Sequence, residues 1–152
     1  VESFCTGPGQ NVLAEDELLV EVRFPPRAAH SGSHYRRLIP RNEMDIAVVG
    51  VGAAVQLDDS RQTFVSARIA LGAVGPTALL AESAGKRLAG QPVSDQTIAK
   101  AAEAAQEVAV PITDMRGTTE YRIHVTGVLT QRVLQAAVAR ARGKGVTYSA
   151  GH

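Results

Sequence analysis

Residues 35–45 are the best functional candidate on chemistry: Tyr35-Arg36-Arg37, then Arg41 after Pro40, then Glu43 and Asp45. Arginine forks bind carboxylate or phosphate through paired N–H groups, so this stretch is the first candidate for an anion site. On chemistry alone the more ordinary reading of the same residues is a solvated loop closed by local ion pairs. Other patterns carry less. Gly50-Val51-Gly52 begins like a dinucleotide-binding turn, but Val55 occupies the third glycine position and the chain runs on into Asp58-Asp59 with no helix signal. Those glycines read as part of a buried strand. Gly7-Pro8-Gly9-Gln10 is a turn without the lysine of a phosphate loop. On a helix His30 and His34 would share a face and could bind a metal, but Ser31-Gly32-Ser33 disfavours a helix and no Cys, His or acid clusters nearby, so no metal pair is expected. His124 reads as an ordinary helix residue. Cys5 is the single cysteine; it excludes an internal disulfide and has no base spaced to activate it. No self-contained catalytic constellation emerges. The chain is expected to supply a binding surface or one wall of a site.

Composition narrows the classes further. The 152 residues carry 16 Lys+Arg against 15 Asp+Glu, a net charge of +1, which argues against a general polyanion binder. Aromatics make up 4% with no Trp, which argues against a base-stacking surface for single-stranded nucleic acid. The longest apolar run, residues 46–55, is about half of a membrane span. No charged and apolar leader follows Val1, so a cytoplasmic location is expected. The glycine-punctuated start reads as the inside of a longer polypeptide.

The elements that must position these residues change character once along the chain. Residues 17–24 alternate, with Leu18, Val20, Val22 and Phe24 on one side and Leu19, Glu21 and Arg23 on the other. That is a half-buried strand stopped by Pro25 and Pro26. Further strands are expected at 34–39, 45–57 and 63–74, the last two as a hairpin across Asp58-Asp59-Ser60. Helices are expected at 78–88 with Thr77 as N-cap and Gly90 as terminator, at 95–109 capped by Ser94, and from Thr118 or Thr119 to about 142. On the long helix, Tyr121, Val125, Val128, Leu129, Val133 and Ala136 make one stripe, while Ile123, Leu134 and Val138 fall elsewhere. Such a helix needs cover nearly all round, part of it expected from a partner. The fold class is α+β: an antiparallel sheet of about four strands followed by three helices on one face, over residues 1–143, with a flexible tail at 144–152.

Four stretches carry a family resemblance: Gly7 to Leu13 with Asp16-Glu17-Leu18-Leu19; Arg41 to Gly50; Ala67 to Thr77; and Asp114-Met115-Arg116-Gly117 through Glu120-Tyr121-Arg122. In series they resemble the C-terminal domain of the FAD-binding (medium) subunit of molybdenum hydroxylases, the group of carbon monoxide and xanthine dehydrogenases. The resemblance implies an oxidoreductase component without catalysis of its own when isolated. Electrons would pass from iron–sulfur clusters through FAD to an acceptor. The implied partners are an N-terminal FAD-binding domain, absent from this chain, an iron–sulfur subunit and a molybdopterin subunit; FAD would be shared with that missing domain. The implied flavin-side residues are Leu19, Arg36 or Arg37, and the loop from Arg41 to Asp45, where Asn42 stands in place of a second arginine found in some relatives. The competing expectation is a non-redox interaction module of the same fold.

Overall fold

A computed structural model describes residues 2–41 and 45–145. Val1, the 42–44 part of the arginine loop with Asn42 and Glu43, and the tail from 146 onward lie outside the described residues. The elements in chain order are β1 (Cys5–Gly7), β2 (Gln10–Asn11), β3 (Ser31–Leu38), β4 (Val49–Leu57), β5 (Phe64–Gly72), β6 (Leu79–Leu80), α1 (Glu82–Leu88), α2 (Asp95–Val108) and α3 (Thr119–Ala141). β1 and β2 form a small hairpin, with Gly9 at φ +68° in its turn. That left-handed φ suits glycine.

The main sheet has the order β3-β4-β5-β6, antiparallel throughout. It has the expected four strands, but one member differs from expectation. Residues 17–24 join no sheet among the described residues. The fourth place goes to β6, inside the stretch expected to open the first helix. Leu79 and Leu80 are drawn into the sheet by pairing with Leu71 and Ala70, a tertiary effect that overrides the local helix signal. α1 therefore starts at Glu82 rather than residue 78, and Ala81, not Thr77, precedes it without a side-chain cap. The other caps follow the sequence. Ser94 Oγ accepts the Thr97 N–H at 3.2 Å, Thr118 Oγ1 accepts the Tyr121 N–H at 3.2 Å, and Gly90 follows α1 at φ +75°. Asp58 closes the β4–β5 turn by accepting from the backbone of Gln62 and Thr63.

Alternation divides the sheet into two faces. Val49, Val51, Ala53, Val55 and Leu57 of β4 point to the core with Ile69 and Leu71 of β5. α1 and α3 lie on this face, and α2 packs on both helices. No helix of the described residues covers the opposite face.

The buried face of α3 is covered by β3, β4 and α2. Its buried face also differs from the expected stripe. Arg122, Val125, Thr126, Leu129, Thr130, Val133, Leu134, Ala137 and Val138 are buried, whereas Tyr121 is exposed and Val128 and Ala136 are half-buried. Two threonines occupy core positions because their hydroxyls are satisfied one turn back. Thr126 Oγ1 donates to the Arg122 carbonyl at 2.8 Å and Thr130 Oγ1 to the Thr126 carbonyl at 2.7 Å.

Candidate functional site

The helix-free face of the sheet is low and built from small residues. Gly50, Gly52 and Ala54 alternate along β4, and Ser66, Arg68 and Ala70 stand beside them on β5. On β3 the residues of this face are Ser33, Tyr35 and Arg37, opposite Ala54, Gly52 and Gly50. Tyr35 lies across the glycines: a Cβ at Gly50 would stand 2.8 Å from the Tyr35 hydroxyl, and one at Gly52 3.6 Å from its ring. The phenol therefore rests almost on the backbone while remaining more than half exposed. A planar group or a partner surface that approaches this face meets the Tyr35 ring over the β4 glycines, with Arg37 and Arg68 beside them. The Gly50-Val51-Gly52 pattern thus works inside a strand, as read from the sequence. The tyrosine above it was not singled out there; its pairing with two glycines across the ladder appears only once the register is known.

Among the residues expected at the flavin, Arg36 and Arg37 are both exposed and fall on opposite faces of the edge strand β3. Arg37 pairs with Gly50 on the open face. Arg36 pairs with the core-facing Val51 and so lies on the helix side, where its charge is felt by His34. Arg41 and Asp45 are brought together. Arg41 Nε donates to Asp45 Oδ2 at 3.2 Å, and the Ile46 N–H donates to Asp45 Oδ1 at 2.9 Å. Arg41 beside it, helped by the Ile46 N–H, holds the Asp45 carboxyl below the usual carboxylate range. This corner therefore presents a compensated pair rather than a lone cation. Leu19 lies on the segment before the main sheet, more than half exposed.

One buried cation ties the region together. Arg122 is 4% exposed and donates from Nη1 to the carbonyls of Val48, just before β4, and Ala73, just after β5, each at 3.3 Å. Its Nη2 pairs with Asp114 in the turn before α3. The Arg116 N–H and then Arg122 hold the Asp114 carboxyl below its ordinary range. Sequence reading treated Arg122 as part of a motif, and the helical pattern gave no sign of its burial, since a charged residue normally marks the solvent face.

His34 introduces a pH dependence. Burial first, then the charges of Arg140 and Arg36, push its pKa below the ordinary value of 6.5. The unfolded chain therefore binds a proton that the folded one resists, and stability falls as pH drops below about 6.5. Urea midpoints compared between pH 7.5 and 5.5 should decline less in His34→Gln than in the unsubstituted chain. An identical decline in both would show that His34 does not contribute.

The family described as CO dehydrogenase flavoprotein C-terminal domain matches residues 33–137. The xanthine dehydrogenase FAD-binding subunit of Escherichia coli O157:H7 is 33% identical over 145 residues, 95% of this chain and 49% of that protein. The carbon monoxide dehydrogenase medium chain of Hydrogenophaga pseudoflava is 36% identical over 139 residues, 91% of this chain and 47% of that one. Among solved structures, a carbon monoxide dehydrogenase from Hydrogenophaga pseudoflava superposes with a TM-score of 0.85 at 35% identity, covering 91% of this chain and 47% of that one. Quinoline 2-oxidoreductase from Pseudomonas putida 86 gives 0.82 at 33% identity, covering 92% and 47%. The chain thus spans about half the length of the curated relatives it matches.

Proposed function

The chain belongs to the CO dehydrogenase flavoprotein C-terminal domain family, and from that premise we propose that it forms one wall of a flavin site in the FAD subunit of a molybdenum-containing hydroxylase or dehydrogenase. The observation that carries the reading is the open sheet face, with Tyr35 laid over Gly50 and Gly52 and Arg37 beside them. This face suits the ring end of FAD. The flat glycine floor and the phenol give a planar system something to lie against. The described residues do not suit the pyrophosphate end, because the glycines of β4 sit inside a strand and open no helix. FAD is accordingly shared, its phosphates held by the half of the protein that the relatives possess and this chain does not include.

When bound, FAD takes up electrons and passes them to an acceptor. This chain's residues bind and tune. Tyr35 and the glycines set how closely the ring can approach, and Arg37 contributes positive charge that favours a reduced, anionic ring. Arg36, on the other face, and the Arg41–Asp45 pair, already neutral as a unit, contribute little charge at the ring. Leu19 belongs to the segment that faces the flavin-binding half. The electrons come from an iron–sulfur subunit, supplied in turn by a molybdopterin subunit that determines the substrate. The cytoplasm is the compartment consistent with such cofactors.

The test compares Arg37→Ala with Arg36→Ala in the complete protein purified with its flavin. Arg37→Ala should lower the flavin midpoint potential by on the order of tens of millivolts, the size expected for one charge near the ring at protein dielectric. Arg36→Ala should leave it almost unchanged. Equal shifts, or a larger one for Arg36→Ala, would remove the open face as the flavin wall. A purified complete protein that is colourless and takes up no FAD would remove the function.

A further inference from the structure

A second group of cations gathers where the β4–β5 turn meets the last turn of α3. Arg61 and Arg142 are locked together there by reciprocal bonds: Arg61 Nη1 donates to the Arg142 carbonyl at 3.3 Å, and Arg142 Nε donates to the Arg61 carbonyl at 3.0 Å. Arg61 Nε also donates to His30 Nδ1 at 3.1 Å. Arg61 holds φ +58° and His30 φ +51°, a left-handed conformation that such side chains adopt at a cost. Glycine would make the same turn more easily, so turn geometry does not account for an arginine. Among the described residues neither guanidinium has a carboxylate partner. The acids of the turn are engaged elsewhere. Asp58 accepts from Ser60 Oγ at 2.7 Å and from the Gln62 and Thr63 N–H groups. Asp59 projects into solvent, 3.8 Å from His30 Nε2. The last turn of α3 is closed by its own backbone, the Gly143 and Lys144 N–H groups donating to the Arg140 and Ala139 carbonyls at 3.0 and 2.9 Å, so the charge of Arg142 is not consumed in capping it. Arg61 Nη2 and both Nη groups of Arg142 make no hydrogen bond among the described residues. The two side chains line one open cavity of about 430 Å³ with Ser60, Gln62, Pro92 and Val93.

We propose that this cavity is an oxyanion site, taking the phosphate group of a small soluble phosphate monoester between the Arg61 and Arg142 guanidinium groups. The unused Nη donors belong to two forks arriving from different elements. That suits an anion with three terminal oxygens better than a carboxylate, whose two oxygens a single fork already engages. A phosphate ion fills only part of the cavity, leaving room for the ester group against Pro92 and Val93. Lys144 lines the adjoining cavity with Arg142 and adds to the positive field. The acid of that adjoining cavity, Asp95, accepts from Gln135 Nε2 at 3.3 Å. The site is distinct from the open sheet face. Arg37 pairs with Gly50 at one end of β4 and Arg61 follows Leu57 at the other, about 23 Å along the strand at its usual rise. The proposal therefore does not rest on the flavin reading.

Calorimetric titration with inorganic phosphate tests it, on the complete protein purified with its flavin and on the 152-residue chain, in phosphate-free buffer at constant ionic strength. Both should bind phosphate with a dissociation constant below about 1 mM. Arg61→Gly, which suits the left-handed backbone and removes one fork, should weaken binding by about tenfold or more, and Arg142→Gln likewise. Arg142→Lys keeps the charge without the fork and should fall between. The control Arg87→Gln/Arg132→Gln removes two exposed cations elsewhere on the helices and should stay within about twofold of the unsubstituted protein. Circular dichroism at the titration temperature checks that each variant is folded; if Arg61→Gly is not, the Arg142→Lys comparison decides. Absence of binding in both samples overturns the proposal. Equal weakening in the control overturns it too, since diffuse charge would then suffice. Binding to the chain but not to the complete protein assigns the cavity to an acidic group of the rest of the protein, and again overturns it. Binding that Arg61→Gly abolishes sustains the site whether or not the preparation carries FAD. Phenyl phosphate should bind more tightly than inorganic phosphate; weaker binding would overturn the monoester assignment.

Discussion

Replacing Arg122 by alanine should lower the melting temperature of the chain by about 10 °C, a loss of about 3 kcal/mol. The guanidinium is buried and serves three separate pieces of chain: the residue before β4, the residue after β5, and the turn before α3. Its removal leaves the Val48 and Ala73 carbonyls without this donor and the Asp114 carboxylate with only the more distant Arg116 guanidinium at 3.5 Å. Arg122→Met keeps most of the volume, so it separates the polar loss from the cavity and should still cost more than half as much. Arg122→Lys keeps the charge but not the fork, and a single ammonium cannot reach both carbonyls and Asp114 in the same geometry. An intermediate melting temperature is expected. Asp114→Asn should be milder than any of these, because the carbonyl contacts survive. If Arg122→Met melts with the unsubstituted chain, the polar network contributes nothing and the buried charge is merely tolerated. Thermal melts followed by far-ultraviolet circular dichroism decide among these outcomes.

The same arginine shows where sequence reading stops. A helix pattern is read from apolar side chains, and α3 buries a charge, two threonines and a glycine, none of which registers as core. The expected stripe therefore meets the true face at Val125, Leu129 and Val133 and misses it at Tyr121, Val128 and Ala136. Caps fared better because they are local: Ser94 and Thr118 accept from the third residue on, as their positions imply. Strand membership was the opposite case. Residues 17–24 have all the alternation that a strand needs, and Leu79–Leu80 have almost none, yet the sheet takes the second pair and leaves the first segment bare. Alternation reports that a strand has a buried side. It does not report which sheet buries it. The candidate site was legible as a charged region but not as a face. Assigning Arg36 and Arg37 to opposite sides needs the register of β3 against β4, and one residue of slip would exchange them.

Gly32→Ala should destabilise the chain by about 3 kcal/mol, although it adds a single methyl group. Gly32 lies on the core side of β3, where α3 crosses it so closely that a Cβ would stand 2.1 Å from the Ala137 carbonyl oxygen and 2.5 Å from the Ala141 amide nitrogen. Carbon and oxygen settle at about 3.3 Å, so the helix would have to retreat by about 1 Å. It is not free to do so. Arg140 Nη1 donates to the Ser33 carbonyl at 2.6 Å, and Arg61 and Arg142 exchange side-chain to backbone hydrogen bonds at 3.3 and 3.0 Å. Retreat would stretch all three and open the layer between β4 and α3, where Val55, Leu134, Ala137 and Val138 are packed. Gly52→Ala is the matched control: the same sheet, the opposite face, and a Cβ in ordinary contact at 3.6 Å from the Tyr35 ring. It should change stability by less than about 1 kcal/mol and can raise it by stiffening the unfolded chain. Equal costs for the two would mean that glycine matters for strand conformation in general, and the close crossing would lose its significance. A large cost at Gly32 alone makes the β3–α3 crossing the feature that fixes the edge strand in place. Tyr35 and Arg37 ride on that strand, so in the complete protein Gly32→Ala should also weaken flavin retention, while the β4–β5 hairpin remains folded.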